Sequence, residues 1–226
     1  MPTAALVKQV LSLATFVTLL LSLVVAGTSL GLLQANLPTQ SAYGEACFLF
    51  INYPQAVSII QSAFVNPILV DFNFNSSTCK LSIASAFIAT ICLALLTAFQ
   101  LCSVSFQINV KTLIANIIQV GFFVGSILFL FISMVVVSAG WRKTCDTFKI
   151  ITQQPQYHDV VFKCNGEQPN YGLSYRPNGG EFIGAAVCAA LGILFTIVAL
   201  VLFIVKQIKS KDDYKHVVKM NEEQLN

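Results

Sequence analysis

Polar and apolar residues separate into long blocks along most of this chain. Four apolar blocks, Val7 to Leu33, Leu81 to Phe106, Leu113 to Ser138 and Phe182 to Val205, hold no Asp, Glu, Lys or Arg except Lys8 at the edge of the first. A hydrocarbon core about 30 Å thick is crossed by about 20 helical residues rising about 1.5 Å each. Every block meets that length, so the pattern predicts four transmembrane helices in a single membrane domain covering residues 1–226. Between them lie a loop over 34–80, a tight turn near Gln107 to Thr112, a loop over 139–181 and a tail over 206–226. Lys8 ahead of an apolar run resembles the start of a signal peptide. That run continues well past the roughly 7 to 15 residues of a secretory core and reads as an uncleaved anchor.

Within the first long loop the pattern changes to period two. Cys47-Phe48-Leu49-Phe50-Ile51-Asn52-Tyr53 and Pro67-Ile68-Leu69-Val70-Asp71-Phe72-Asn73-Phe74-Asn75 alternate as strands do, which predicts a small antiparallel sheet above the helices. The expected fold is an all-α four-transmembrane-helix bundle with a small β-containing, disulfide-stapled extracytoplasmic cap. In the second loop Trp141 is placed as an amphipathic ring at the membrane interface. The stretch from Gln168 to Gly180 reads as irregular turns.

Composition agrees, with 56% hydrophobic and 10% charged residues against about 25% charged in an ordinary soluble domain. A net charge of +3, spread along the chain, gives no reason to expect a nucleic-acid partner. Orientation follows from three signals. Lys206, Lys209, Lys211, Lys215 and Lys219 after the fourth span, with Lys111 in the tight turn, make the side holding both termini basic and therefore cytoplasmic. Arg142, Lys143, Lys149, Lys163 and Arg176 on the other side are diluted by Asp146, Asp159 and Glu167. Cys47, Cys79, Cys145 and Cys164 fall in the long loops, where an oxidising compartment lets cysteines pair. The only acceptor sequon, Asn75-Ser76-Ser77, lies in the first loop and makes Asn75 the candidate glycosylation site. The expected location is the plasma membrane or a secretory or endosomal vesicle membrane.

Four loop cysteines allow three connectivities, which the sequence leaves open; pairing within each loop is the simplest. No C-x-x-C spacing is present, so the cysteines read as structural staples. Cys92, Cys102 and Cys188 lie inside spans, where thiols act as small apolar groups.

The residues around the loop cysteines resemble a known family. A cysteine after span one leads into aromatic and aliphatic residues (Cys47-Phe48-Leu49-Phe50). A second has a basic neighbour ahead of span two (Cys79-Lys80-Leu81-Ser82). Cys145-Asp146-Thr147 follows span three, and Cys164 precedes span four. This order is similar to that of the transmembrane protein 179 family of four-span proteins. The resemblance implies the same topology and disulfides in both loops, and it implies no mechanism. Claudin-like proteins carry a tryptophan-containing signature in their first loop, and this chain has none there. The synaptophysin-like MARVEL proteins match in layout only.

Small residues at four-residue spacing mark expected close helix approaches: Gly27 and Gly31, Gly121 and Gly125, and the longer stripe Gly180, Gly184, Cys188 and Gly192. They serve contacts inside the bundle or contacts with a second copy or a partner's helix. Gln100, Gln107, Asn109, Asn116 and Gln119 are expected to bond across the hairpin of spans two and three. No ionisable side chain lies at membrane depth, which argues against ion or proton transport. A pore of several copies lined by neutral side chains is the alternative. In the tail, Tyr214 and Val217 fit a tyrosine-based sorting pattern, beside lysines suited to anionic lipid. His158 and His216 are isolated, so no catalytic residue, cofactor or metal site is expected. The expected function is that of a non-enzymatic accessory, scaffold or trafficking protein. Its partners are membrane lipid and another membrane protein or further copies of itself. The alternatives are a homo-oligomeric pore subunit and a synaptophysin-like vesicle protein.

Overall fold

The computed structural model describes residues 2–36, 49–57, 77–106, 113–155, 162–166 and 178–225. Pro2 occupies the first helical position, where its missing N–H is no loss, and α1 runs Pro2–Asn36. The remaining long helices are α2, Ser77–Phe106, α3, Leu113–Thr152, and α4, Gly179–Leu225. Each of the four is long and apolar enough to cross a membrane. Contacts join α1 to α2, α2 to α3, α3 to α4 and α4 back to α1, the last pair being the most extensive. The result is a four-helix ring closed by the first and last helices of the chain.

Packing follows a single rule in all four helices. Buried positions recur at alternating spacings of three and four. In α1 they are Thr15, Leu19, Ser22, Ala26, Ser29, Leu33 and Asn36, and in α4 Phe182, Ala185, Ala189, Gly192, Thr196, Ala199 and Phe203. In α2 they are Cys79, Ser82, Ala86, Ala89, Leu93, Leu96 and Gln100, and in α3 Phe123, Ser126, Leu130, Ser133 and Val137. That spacing belongs to left-handed bundles, in which ridges of one helix enter the grooves of the next. The facing residues of α1 and α4 are small, so their backbones come close enough for side chains to bond across. Ser22 Oγ donates to Gly192 O at 3.0 Å and lies 2.7 Å from Thr196 Oγ1, and Ser29 Oγ donates to Ala185 O at 2.8 Å.

Two helices outrun the apolar blocks. α3 holds 40 residues, about 60 Å, or about twice a hydrocarbon core. It continues through Trp141 where the hydropathy pattern places a loop, because Trp141, Cys145, Phe148 and Ile151 keep the helical spacing and are buried. α4 likewise continues through the charged tail, so Tyr214 and Val217 lie on helical backbone.

The β-containing cap expected from the alternating runs is overturned: among the described residues there is no β-strand. The alternation is present, with Leu49 and Ile51 buried and Asn52 exposed. The backbone partner is a helix. Phe50 N donates to Gly140 O at 3.1 Å, Ile51 N to Thr144 Oγ1 at 3.2 Å, and Thr147 Oγ1 to Ile51 O at 3.1 Å. The projecting end of α3 thus takes the bonds that a second strand would supply, and the chain turns into one helical turn over 53–57. The second alternating run, Pro67 to Asn75, lies outside the described residues.

Candidate functional site

The end of the bundle that carries the long loops is built around one side chain. Trp141, expected at a membrane interface, is 5% exposed and forms the centre of an aromatic core. Its ring stacks on Phe182 at 4.8 Å between centroids and meets Phe162 at 6.1 Å, while Phe162 stacks on Phe148 at 4.1 Å. Its Nε1 donates to Cys164 O at 3.0 Å. A buried indole N–H needs a partner, and here it holds the 162–166 strap against α3. Gly179 N donates to Gly166 O at 3.1 Å, joining the strap to the start of α4.

Two glycines outside every small-residue stripe make this packing possible. A Cβ on Gly179 would stand 2.1 Å from Cys164 O and 2.5 Å from Trp141 Cζ2, and one on Gly140 would stand 2.8 to 2.9 Å from Phe50 and Leu49 atoms. Phe50 itself has φ of 61°, in the left-handed region, at a cost of about 1 to 2 kcal/mol. The three bonds from its neighbourhood to α3 hold that conformation.

A polar clasp ties α1 to α4 beside this core. Asn178 caps α4, its Oδ1 accepting from Gly180 N at 3.0 Å, while Asn178 Nδ2 donates to Glu181 Oε1 at 3.2 Å. Asn36, the last residue of α1, accepts Asn178 N at 3.1 Å on its Oδ1 and donates from Nδ2 to Glu181 Oε2 and to Leu32 O. The C-terminus of one helix thereby completes the N-cap of another. The sequence carries a signal for this cap in Asn178-Gly179-Gly180-Glu181, where Gly180 reads more readily as part of a small-residue stripe.

The loop cysteines differ from one another. Cys79 is disulfide-bonded, whereas Cys145 and Cys164 are thiols that face each other within hydrogen-bonding reach. Cys47 and Asn75 lie outside the described residues, as do His158, Tyr157, Tyr171 and Tyr175. Cys92 and Cys188 are half-buried thiols and Cys102 an exposed one.

The small-residue stripes divide in two. A Cβ on Gly192 would stand 3.2 Å from Leu130 Cδ1, one on Gly184 3.5 Å from Leu32 Cδ1, and one on Gly180 3.3 Å from Asn165 O, all within the chain's own fold. Gly27, Gly31, Gly121 and Gly125 have nothing within 4 Å of where a Cβ would stand. At the opposite end, Lys206 Nζ donates to Ser12 Oγ at 3.0 Å, and Gln207 Nε2 to Asn116 Oδ1 at 3.0 Å. Asn116 therefore bonds to α4, where bonding across the α2–α3 hairpin was expected. Gln100 Oε1, Ser82 Oγ and Ser133 Oγ are buried without a hydrogen-bond partner among the described residues. The exposed Arg142–Asp146 pair, 3.9 Å apart, contributes little. Among the described residues no three His, Cys, Asp or Glu side chains are grouped to hold a metal ion.

Comparison with protein-family models, curated proteins and solved structures finds no match. Nothing therefore ties the chain to the transmembrane protein 179 family that its cysteine neighbourhoods resemble. On its own geometry the chain is a four-helix, membrane-spanning, all-α protein.

Proposed function

We propose that this chain is a non-enzymatic accessory, scaffold or trafficking protein that works by packing its helices against another membrane protein. The observation that carries this reading is the outward placement of Gly27 and Gly31 on α1 and of Gly121 and Gly125 on α3. In lipid, where apolar burial gives helices little drive to associate, such small-residue faces let a partner's backbone approach. The bundle needs none of the four for its own packing. In this reading both termini are cytoplasmic and the Trp141 core faces the outside or a lumen, as the lysine density around α4 supports.

Native mass measurement in mild detergent tests the proposal. The chain is expected in a mixed complex with a larger membrane protein. Gly27→Leu with Gly31→Leu, or Gly121→Leu with Gly125→Leu, should dissolve that complex while leaving thermal unfolding of the chain unchanged. A closed ring of identical copies that conducts ions in vesicles would replace this reading with the pore.

A further inference from the structure

We infer that Cys145 and Cys164 are a facing dithiol pair that closes to a disulfide, latching the 162–166 strap onto α3. Cys79 is already disulfide-bonded, and it is bonded to neither Cys145 nor Cys164, because both of those are thiols. Cys92, Cys102 and Cys188 are thiols as well.

The strap is positioned for the second bond by contacts that do not involve sulfur. Trp141 stands one turn before Cys145 on the same face of α3, and its Nε1 holds the carbonyl of Cys164 itself. Phe162, two residues earlier, stacks on Phe148, three residues after Cys145. Gly179 closes against Cys164 O from the other side. Cys164 is therefore fixed at its backbone, and its thiol faces the buried Cys145 thiol with both side chains packed in one core. Of the two, Cys164 is the more accessible.

The oxidant is a small-molecule disulfide such as oxidised glutathione. The Cys164 thiolate attacks one glutathione sulfur, the S–S bond breaks, and one glutathione thiolate leaves and takes up a proton. Cys145, giving up its proton, then attacks Cys164 Sγ and expels the second glutathione. The protein loses two electrons and two protons, and one glutathione disulfide becomes two thiols.

Purified full-length chain in detergent, incubated across ratios of oxidised to reduced glutathione and then alkylated, tests the pairing by non-reducing peptide mapping. Alkylation of Cys145 and Cys164 should be lost together over one narrow range of ratios, with a linked Cys145–Cys164 peptide replacing both. Cys92 and Cys188 should not change with them. Hydrogen exchange at 162–166 should slow in the linked form. A bond from Cys79 to Cys145 or Cys164 would overturn the inference, and so would independent loss of the two thiols or mixed glutathione disulfides that never resolve. The test uses purified protein, so it does not depend on the orientation or partner proposed above.

Discussion

At the scale of single residues, the glycines that matter to the fold are those whose Cβ position is already occupied. Gly179→Ala sets a methyl against the backbone carbonyl of Cys164, which cannot swing aside as a side chain can. It should destabilise the chain by about 1 to 3 kcal/mol, as overpacking does. Gly27→Ala and Gly121→Ala meet open space and should leave stability unchanged or raise it by up to about 1 kcal/mol, the helix-propensity difference. Thermal unfolding followed by fluorescence of Trp141, the only tryptophan, separates them, and equal midpoints for all three variants would contradict the packing described. Asn36→Ala removes an acceptor from Asn178 N and a donor to Glu181, so Asn36→Ala and Asn178→Ala should cost less together than the sum of their separate effects. Additive costs in a double-mutant cycle would show that the two side chains do not act as one clasp. The cap of α4 escapes the sequence pattern, because Asn178 lies in a stretch that reads as irregular turns and Gly180 joins a small-residue stripe. The need for glycine at 140 and 179 escapes it too, because it is set by what lies against them, and that comes from distant parts of the chain.

At the scale of elements, the end of α3 and the partner of the 49–52 segment both escape the apolar pattern, for related reasons. The apolar run is interrupted at Arg142 and Lys143, so the block ends at Ser138, while the three-and-four spacing of Trp141, Thr144, Cys145 and Phe148 runs on. The period of the buried positions marks the helix here, and the overall apolar content does not. The strand-like alternation around Ile51 was real, but alternation specifies only which side chains are buried. Whether a strand or a row of helix hydroxyls meets the backbone is a tertiary matter. Thr144→Val keeps the shape of Thr144 and removes the oxygen that accepts Ile51 N. An unpartnered buried N–H costs about 1 to 3 kcal/mol, so unfolding should come earlier by that much and amide exchange at Ile51 should accelerate. Unchanged exchange at Ile51 would mean that the amide has another partner.

At the scale of the whole molecule, four spans and a membrane bundle were plain from the blocks of apolar residues, because bilayer thickness imposes a length that few other constraints mimic. The order of helices around the ring was not, since each helix carries small residues on more than one face and the sequence does not say which face is shared. The structure assigns the Ser22, Ser29, Gly192 and Thr196 face to the α1–α4 pair. Ser22→Ala should cost less than about 1 kcal/mol, because interhelical hydroxyl bonds in membranes contribute about that or less. Ser22→Leu should cost more, by forcing the two helices apart. If Ser22→Leu is as stable as Ser22→Ala, the close approach of α1 and α4 is incorrect.

The unbroken length of α3 also gives the molecule a lever. About 14 residues of this helix stand beyond Ser138, an arm of about 21 Å, and the Trp141 core, the 49–52 segment and the strap are all fastened to it. Helices adjust their tilt to bilayer thickness at modest energetic cost. A tilt change of about 10° at the membrane would carry the far end of this arm through about 4 Å, with no joint along the way to absorb it. A change in local bilayer thickness that retilts α3 would therefore turn the loop end of the protein with it.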